Sequence, residues 1–446
     1  MVVLIKTLQV ILALSLLIVI HELGHFTFAK IFGIRVDKFF LFFDVGGFKL
    51  FSTKTSKWFL RLFPKAAIWE TEYGIGWLPL GGYCKICGMV DESMDLESMK
   101  GEPQSWEFRT KPAWQRLLVM FGGVLFNFLS AIVFFTGILA SRGESYVENE
   151  GNAIYASELA VELGFRTGDE ILLLDDYAPT NFYSLQADLA RRGVRKVTVL
   201  RGGDTVELYM DRSKMGEVLS SPGMFDLAIP FVIDSIPPES INAGGGLQKL
   251  DKVVAVGGVP TPYAQDSRPL IAANAGGSAE LTVSREGEEF PISVEVDTLG
   301  RIGVFMQIPG LKVRKYGPLE VIPAGLRYTW STIRDYLRDL RLVATPSTGA
   351  YKSVGSFIAI GQVFPSSWNW LEFIYLVAVL SVMLGVMNLI PIPGLDGGHI
   401  LFTIYEMITG RKPSDKFMAV AQMVGMALLV LLMFLAFGND IGRIIK

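Results

Sequence analysis

The chain has 446 residues, half of them hydrophobic and 19% charged, with 41 Lys and Arg against 44 Asp and Glu and a net charge of −3. Ordinary soluble domains carry about 25% charged residues, so composition points to membrane spans joined to a folded water-soluble part. The near balance of sign excludes a nucleic-acid binder, and two cysteines exclude a disulfide scaffold.

The first apolar stretch, residues 1–34, is interrupted by Lys6, His21, Glu22, His25 and Lys30. It is long enough to cross a bilayer, which takes about 20 apolar residues. Ionisable groups inside it and the lack of an Ala-x-Ala site make it a retained span and not a cleaved signal. Residues 35–116 follow, a loop whose first part is aromatic and alternates like strands. Phenylalanines at 39, 40, 42 and 43 are too many for a free soluble hairpin, so a membrane-associated β-hairpin or sheet packed beside the spans is expected. The second span covers 117–140.

Residues 142–310 differ in character, with 14 Lys and Arg against 25 Asp and Glu. They contain a repeat. The run 163–176 matches 245–258, and Lys196–Arg201 matches Glu280–Arg285. The pattern Gly-x-x-x-Gly-Asp, a β-run, then an alternating strand and a turn resembles the PDZ domain, with Leu250 standing where the first copy has Gly168. Two tandem PDZ-like α+β domains are expected at 143–221 and 224–310. Residues 311–350, with ten charged side chains among Tyr328, Trp330, Tyr336 and Leu337, suit an amphipathic interfacial segment. The third span is placed at 373–395 and the fourth at 417–438. The fold class is thus a multi-pass α-helical membrane protein with four transmembrane helices. Lys30, Arg35 and Lys38 at one end of the 30–116 loop, and Arg109, Lys111 and Arg116 at the other, mark that loop as cytoplasmic. Both termini and the repeated region then lie outside.

His21-Glu22-Leu23-Gly24-His25 is His-Glu-x-x-His. On a helix, positions i and i+4 share a face, so two imidazoles can hold one zinc ion while Glu22 stands beside it as a base. Ionisable groups inside a span are costly and need a partner. A catalytic zinc takes a third protein ligand, and Asp396, in Asn388-Leu389-Ile390-Pro391-Ile392-Pro393-Gly394-Leu395-Asp396-Gly397-Gly398-His399, is the candidate at membrane depth. His399 competes for that place but suits a hydrogen bond to the Asp396 loop. Cys84-Lys85-Ile86-Cys87 has no second Cys or His pair to complete a zinc site, and reads as two small packed side chains.

His-Glu-x-x-His in the first span and Leu395-Asp396-Gly397 at the third resemble the site-2 protease family of intramembrane zinc metalloproteases. The PDZ pair makes the chain similar to its RseP-type members, the regulators of sigma-E. Thr71-Glu72-Tyr73, Pro79 to Lys85 and Asn388 to Pro393 extend the resemblance. It implies Zn2+ held by His21, His25 and Asp396, Glu22 as catalytic base, and substrate contact by Asn388, Pro391 and Pro393. It also implies a bacterial inner membrane, with the active site towards the cytoplasm and the PDZ-like pair in the periplasm. The partners would be the lipid bilayer and single-span substrates such as a shortened anti-sigma factor or remnant signal peptides. Two departures stand out: Phe42-Phe43-Asp44 replaces Gly-x-Gly in the β-loop, and Gly123-Val124 replaces Gly-Pro before Asn127. A metal transporter would have no need of Glu22, and an adaptor with a decayed protease site would be free to lose one motif element.

Overall fold

The computed structural model describes residues 2–89, 102–221 and 223–445. Residues 90–101, within the expected 35–116 region, lie outside the described residues. Two compact units emerge: residues 1–143, 315–341 and 354–446 form one, and residues 144–314 and 342–353 the other.

Four helices of the first unit are long and apolar enough to cross a membrane: Val2–Ile31 (α1), Ala113–Arg142, Trp370–Leu389 and Lys416–Gly442. The buried positions of α1 are Gln9, Ala13, Leu17, His21, Gly24, His25 and Ala29. They recur every three or four residues and so form a single stripe. After α1 come Val36–Phe43 (β1), Lys49–Ser52 (β2), the short helix Lys57–Leu62 (α2), Glu72–Gly76 (β3), Leu78–Ile86 (β4) and the second long helix, Ala113–Arg142 (α3). The strands make a mixed sheet in the order β2-β3-β1-β4, with β1 parallel to β3 and antiparallel to β4. The region is therefore a four-stranded sheet and not a simple hairpin. Its inner face, including Val36, Cys84 and Ile86, packs with Ala29 of α1 and Val119 and Met120 of α3.

The third span ends earlier than the expected 373–395. Its helix stops at Leu389, and Ile390 is already extended at φ −64°, ψ 135°. Pro391 enforces this, since a residue before proline is pushed out of the helical region. Gly394 turns the chain at φ 101°, and Asp396 then opens a separate helix, Asp396–Thr409. That helix is tied to α3 by a mostly buried ion pair between Arg116 and Glu406. Expected residues 311–350 also divide: Leu311–Arg314 is a strand of the second unit, and the amphipathic helix runs Val321–Val343.

The second unit repeats itself. Strands Glu170–Leu174, Lys196–Arg201 and Asp204–Tyr209 form an antiparallel sheet, as do Lys252–Val256, Ser278–Arg285 and Glu288–Glu295, the latter with Val259–Pro260 added. In each copy an arginine grips a fully buried aspartate with two nitrogens, Arg201 on Asp169 at 2.7 and 2.8 Å and Arg285 on Asp251 at 2.6 and 2.7 Å. Each arginine also donates to a glycine carbonyl, Gly164 or Gly246. The boundary between copies lies beyond the expected 221–224 join, because Phe225–Leu227 pairs with Ile154–Ala156 of the first copy. The corresponding pair in the second copy is Phe305–Met306 with Ile233–Ser235.

Gly168 and Leu250 occupy the same turn, at φ 95° and φ 73°. Leucine pays for that conformation in steric strain of about 1 kcal/mol, and its exposed side chain recovers little. Leu250→Gly should therefore steady the second copy by roughly 0.5–1 kcal/mol. Slower hydrogen exchange of the Lys252–Val256 amides is the expected readout.

Candidate metal centre

Helical spacing brings His21 and His25 to one face of α1, with their Nε2 atoms 3.2 Å apart. Asp396, at the start of its own helix, turns Oδ2 between them, 3.1 Å from His21 Nε2 and 3.3 Å from His25 Nε2. Ligand bonds of 2.0–2.1 Å in a tetrahedral zinc site set neighbouring donors about 3.3 Å apart, so the three atoms fit zinc. The same Oδ2 is buried with no hydrogen-bond partner other than those imidazoles. Among the described residues, this is the one group of three or more His, Cys, Asp or Glu side chains placed to share a metal ion.

The far side of each ring is held by α3. His25 Nδ1 lies 2.9 Å from the carbonyl of Val119, which fixes the tautomer that donates there and leaves Nε2 bare for metal. The Asn127 amide lies against His21 Nδ1 at 3.1 Å, and its own Oδ1 is buried without a partner. Turned end for end, that amide accepts from Nδ1–H and again frees Nε2. Asn127 is itself pinned, since Ser130 and Ser381 each donate to its backbone carbonyl at 2.9 Å. This bond from Ser381 also fastens the third span to α3.

Such close approach depends on glycine. Gly24 of α1 packs directly on Gly122 and Gly123 of α3. A Cβ on Gly123 would stand 2.5 Å from His25 Nε2 and 2.6 Å from His21 Cε1. Gly123→Ala should therefore push the rings off their geometry and weaken zinc binding by at least about tenfold, the scale on which losing an outer support acts. Gly137→Ala, on the same helix but with open space at its Cβ, should leave zinc content unchanged in the same metal assay.

A cavity of about 660 Å³ opens onto the three side chains. Glu22, Tyr83, Cys84, Asn388 and His399 line it, together with Lys38 and Asp44. Glu22 accepts a hydrogen bond from the Cys84 backbone N–H of β4, and among the described residues β4 is hydrogen-bonded to β1. β4 therefore passes the Glu22 carboxylate. Asn388 Nδ2 comes within 3.3 Å of His21 Nε2. Pro391 and Pro393 are outside the lining; Pro393 packs on Gly398 and Gly425. His399 also stands apart from the converging trio and hydrogen-bonds Gln422. At the Phe42-Phe43-Asp44 departure, Phe42 takes φ 67°, a region glycine enters freely, and the bulge turns Phe43 and Asp44 to the cavity. At the other departure, α3 runs unbroken through a fully buried Val124. Burial and the neighbouring Asp37 push the Cys87 thiol up to about 12, so it stays protonated and offers no thiolate to a metal.

Sequence reasoning did not single out Val119, and marked Gly123 only as part of the departure beside Val124, not as the contact under the two rings. A carbonyl leaves no trace in residue identity. The adjacent glycines 122 and 123 in an apolar helix were the available sign of a close crossing.

Comparison with known proteins gives concordant results. The chain matches peptidase family M50 over residues 9–432. It is 28% identical over 460 residues to the regulator of sigma-E protease RseP of Escherichia coli, spanning 97% of this chain and 98% of that one. A Xylella fastidiosa protein named as a candidate zinc metalloprotease is 30% identical over 458 residues, 97% of each chain. Protease RseP of Yersinia pestis is 28% identical over 466 residues, 97% of this chain and 98% of its own.

Proposed function

Because the chain belongs to peptidase family M50, and is a zinc metalloprotease with four helices of membrane length, we propose that it cuts single-span membrane proteins in or beside the bilayer. Its substrates would be proteins already shortened on the outer side, such as an anti-sigma factor, and remnant signal peptides; the sigma-E relatives support the first kind. The observation that carries this reading is the meeting of His21 Nε2, His25 Nε2 and Asp396 Oδ2 within 3.3 Å of one another beside Glu22.

His21, His25 and Asp396 are assigned as the ligands of zinc, which supplies Lewis acidity and a water of lowered pKa when bound. Glu22 takes the proton of the attacking water and returns it to the leaving nitrogen. A helical substrate hides its carbonyls in its own hydrogen bonds, so it must be drawn out before it is cut. An extended segment can add as a further strand to an edge of the sheet in the 39–85 region, which would lay its peptide bonds near Glu22. Asn388 is assigned to hold the substrate backbone near His21. Pro391 and Pro393 act by shaping the turn that presents Asp396.

The assigned setting is the bacterial inner membrane, with residues 30–116 and the metal centre towards the cytoplasm and the repeated unit in the periplasm. The two copies are assigned as PDZ domains that act as a size gate, admitting short ends and excluding intact outer domains. A second reading, delivery by peptide binding, has one observation in its favour. The second copy has a cavity of about 700 Å³ beside the helix Ala264–Ala272, with Arg268, Arg301 and Phe305 on its wall. In the first copy, Gln186 of the helix Leu185–Arg191 binds the carbonyls of Val218 and Ser221 and the N–H of Met224.

Replacing residues 143–310 by a short linker separates the two readings. The gate predicts that shortened substrates are still cut and that substrates with a bulky outer domain become cleavable. Loss of cleavage of the shortened substrate by a folded, zinc-loaded deletion variant would replace the gate with delivery.

A further inference from the structure

Around β2 and on towards β3 the chain builds a lobe that supplies no ligand to the metal centre. Residues 45–69 carry five cations, Lys49, Lys54, Lys57, Arg61 and Lys65, and no acidic residue. The lobe is held together by an aromatic cluster centred on Phe59, whose ring lies 5.3 Å from Phe51, 5.7 Å from Trp58 and 5.0 Å from Phe63. Glu72 fastens it from β3, accepting from Ser52 and from Lys49 at 2.6 Å. Burial alone would raise the Glu72 carboxyl, but these two donors outweigh it and hold the group below its usual range.

The outer side is apolar and bare. Phe48, Leu50, Trp58, Leu62 and Phe63 are exposed, and Ile68 is 84% exposed. An apolar patch of this kind marks an interaction surface. Lys57, Arg61 and Lys65 stand exposed on the same lobe, while the ion pairs nearby use Lys30, Lys38 and Lys49. The lobe is attached where a membrane-length helix ends. Lys30, in the last turn of α1, pairs with Glu70, and Trp69 meets Tyr73, which in turn meets Phe26 of α1.

We propose that residues 57–69 dock into the headgroup layer of an anionic leaflet, with Trp58, Leu62, Phe63 and Ile68 inserted and Lys57, Arg61 and Lys65 on lipid phosphates. Cations without acids beside Trp and Phe are the composition of an interfacial anchor. A two-fold contact with a second copy would set the same cations against one another, whereas an anionic leaflet rewards each of them with about a fivefold gain in partition. The lobe, β3, β1 and β4 are continuous through one sheet, so docking also holds the sheet that a substrate strand would join at a set depth. That consequence rests on the strand-addition reading above; the docking itself does not.

The test uses the full chain with Ile68→Cys labelled by the fluorophore NBD, with the equally treated unsubstituted chain as blank. It is reconstituted in phosphatidylcholine vesicles with and without phosphatidylglycerol. A nitroxide attached near the headgroup end of the lipid acyl chain should quench the probe in the phosphatidylglycerol vesicles. Quenching should fall severalfold when phosphatidylglycerol is left out, and equally in the variant combining Lys57→Gln, Arg61→Gln and Lys65→Gln. Absence of quenching in the anionic vesicles overturns the proposal, including the case of a blue-shifted probe that lipid nitroxide cannot reach, which places a protein on the patch. Equal quenching in neutral vesicles, or in the triple variant, also overturns it, because the basic residues would then not be what binds.

Discussion

Asp396→Ala should strip the protein of zinc and of proteolysis together. Removing the carboxylate leaves two imidazoles 3.2 Å apart, and two ligands hold zinc poorly when three are needed for a catalytic site. Changing an outer partner of a ligand already costs about 10–100-fold in metal affinity, so loss of a direct ligand should cost more than about 100-fold. Asp396 Oδ2 faces His21 and His25, so the loss falls on the metal position itself. His399→Ala is the informative control. His399 lies on the wall of the same cavity, yet it bonds Gln422 and stands outside the converging trio. That variant should keep most of its zinc. Metal content after dialysis against a weak chelator reads both; the opposite pattern would hand the third position to His399.

Much of the metal centre is legible in the sequence because its chemistry is tied to residue type. His21, Glu22 and His25 sit at fixed helical spacing, and among residues near membrane depth Asp396 is one of few ionisable side chains. The spans are legible for a similar reason, as long uncharged runs admit one reading. The repeat shows in its glycines and in the offset of 82 residues between Asp169 and Asp251, which are the two aspartates that Arg201 and Arg285 grip.

Tertiary choices were less visible. Hydropathy continues from Leu389 through Ile390 and Ile392 to Leu395, so it cannot show that Asp396 begins a helix of its own; the backbone break at Ile390-Pro391 decides it. Phe225–Leu227 follows the expected join but pairs with Ile154–Ala156, a long-range partnership that alternation of residues does not encode. The parallel pairing of β1 with β3 is hidden for the same reason, because an intervening strand and helix separate them in the chain. The supports of the rings are hidden most deeply. A backbone carbonyl at Val119 and the space above Gly123 exist only once α1 and α3 have crossed.

Glu22→Gln bears on the central claim, that this site performs hydrolysis with Glu22 as its base. The substitution keeps the size and shape of the side chain and touches none of the three converging atoms, so the variant should bind about one zinc per chain as the parent does. It should nevertheless lose cleavage by about 10²–10⁴-fold, the usual contribution of a general base. A transporter carrying the same ligands would be indifferent to the change. The measurement is zinc content and cleavage of a shortened single-span substrate, taken on one preparation of the Glu22→Gln protein. Full zinc with cleavage all but abolished is the predicted result; full zinc with cleavage near the parent rate would contradict the account.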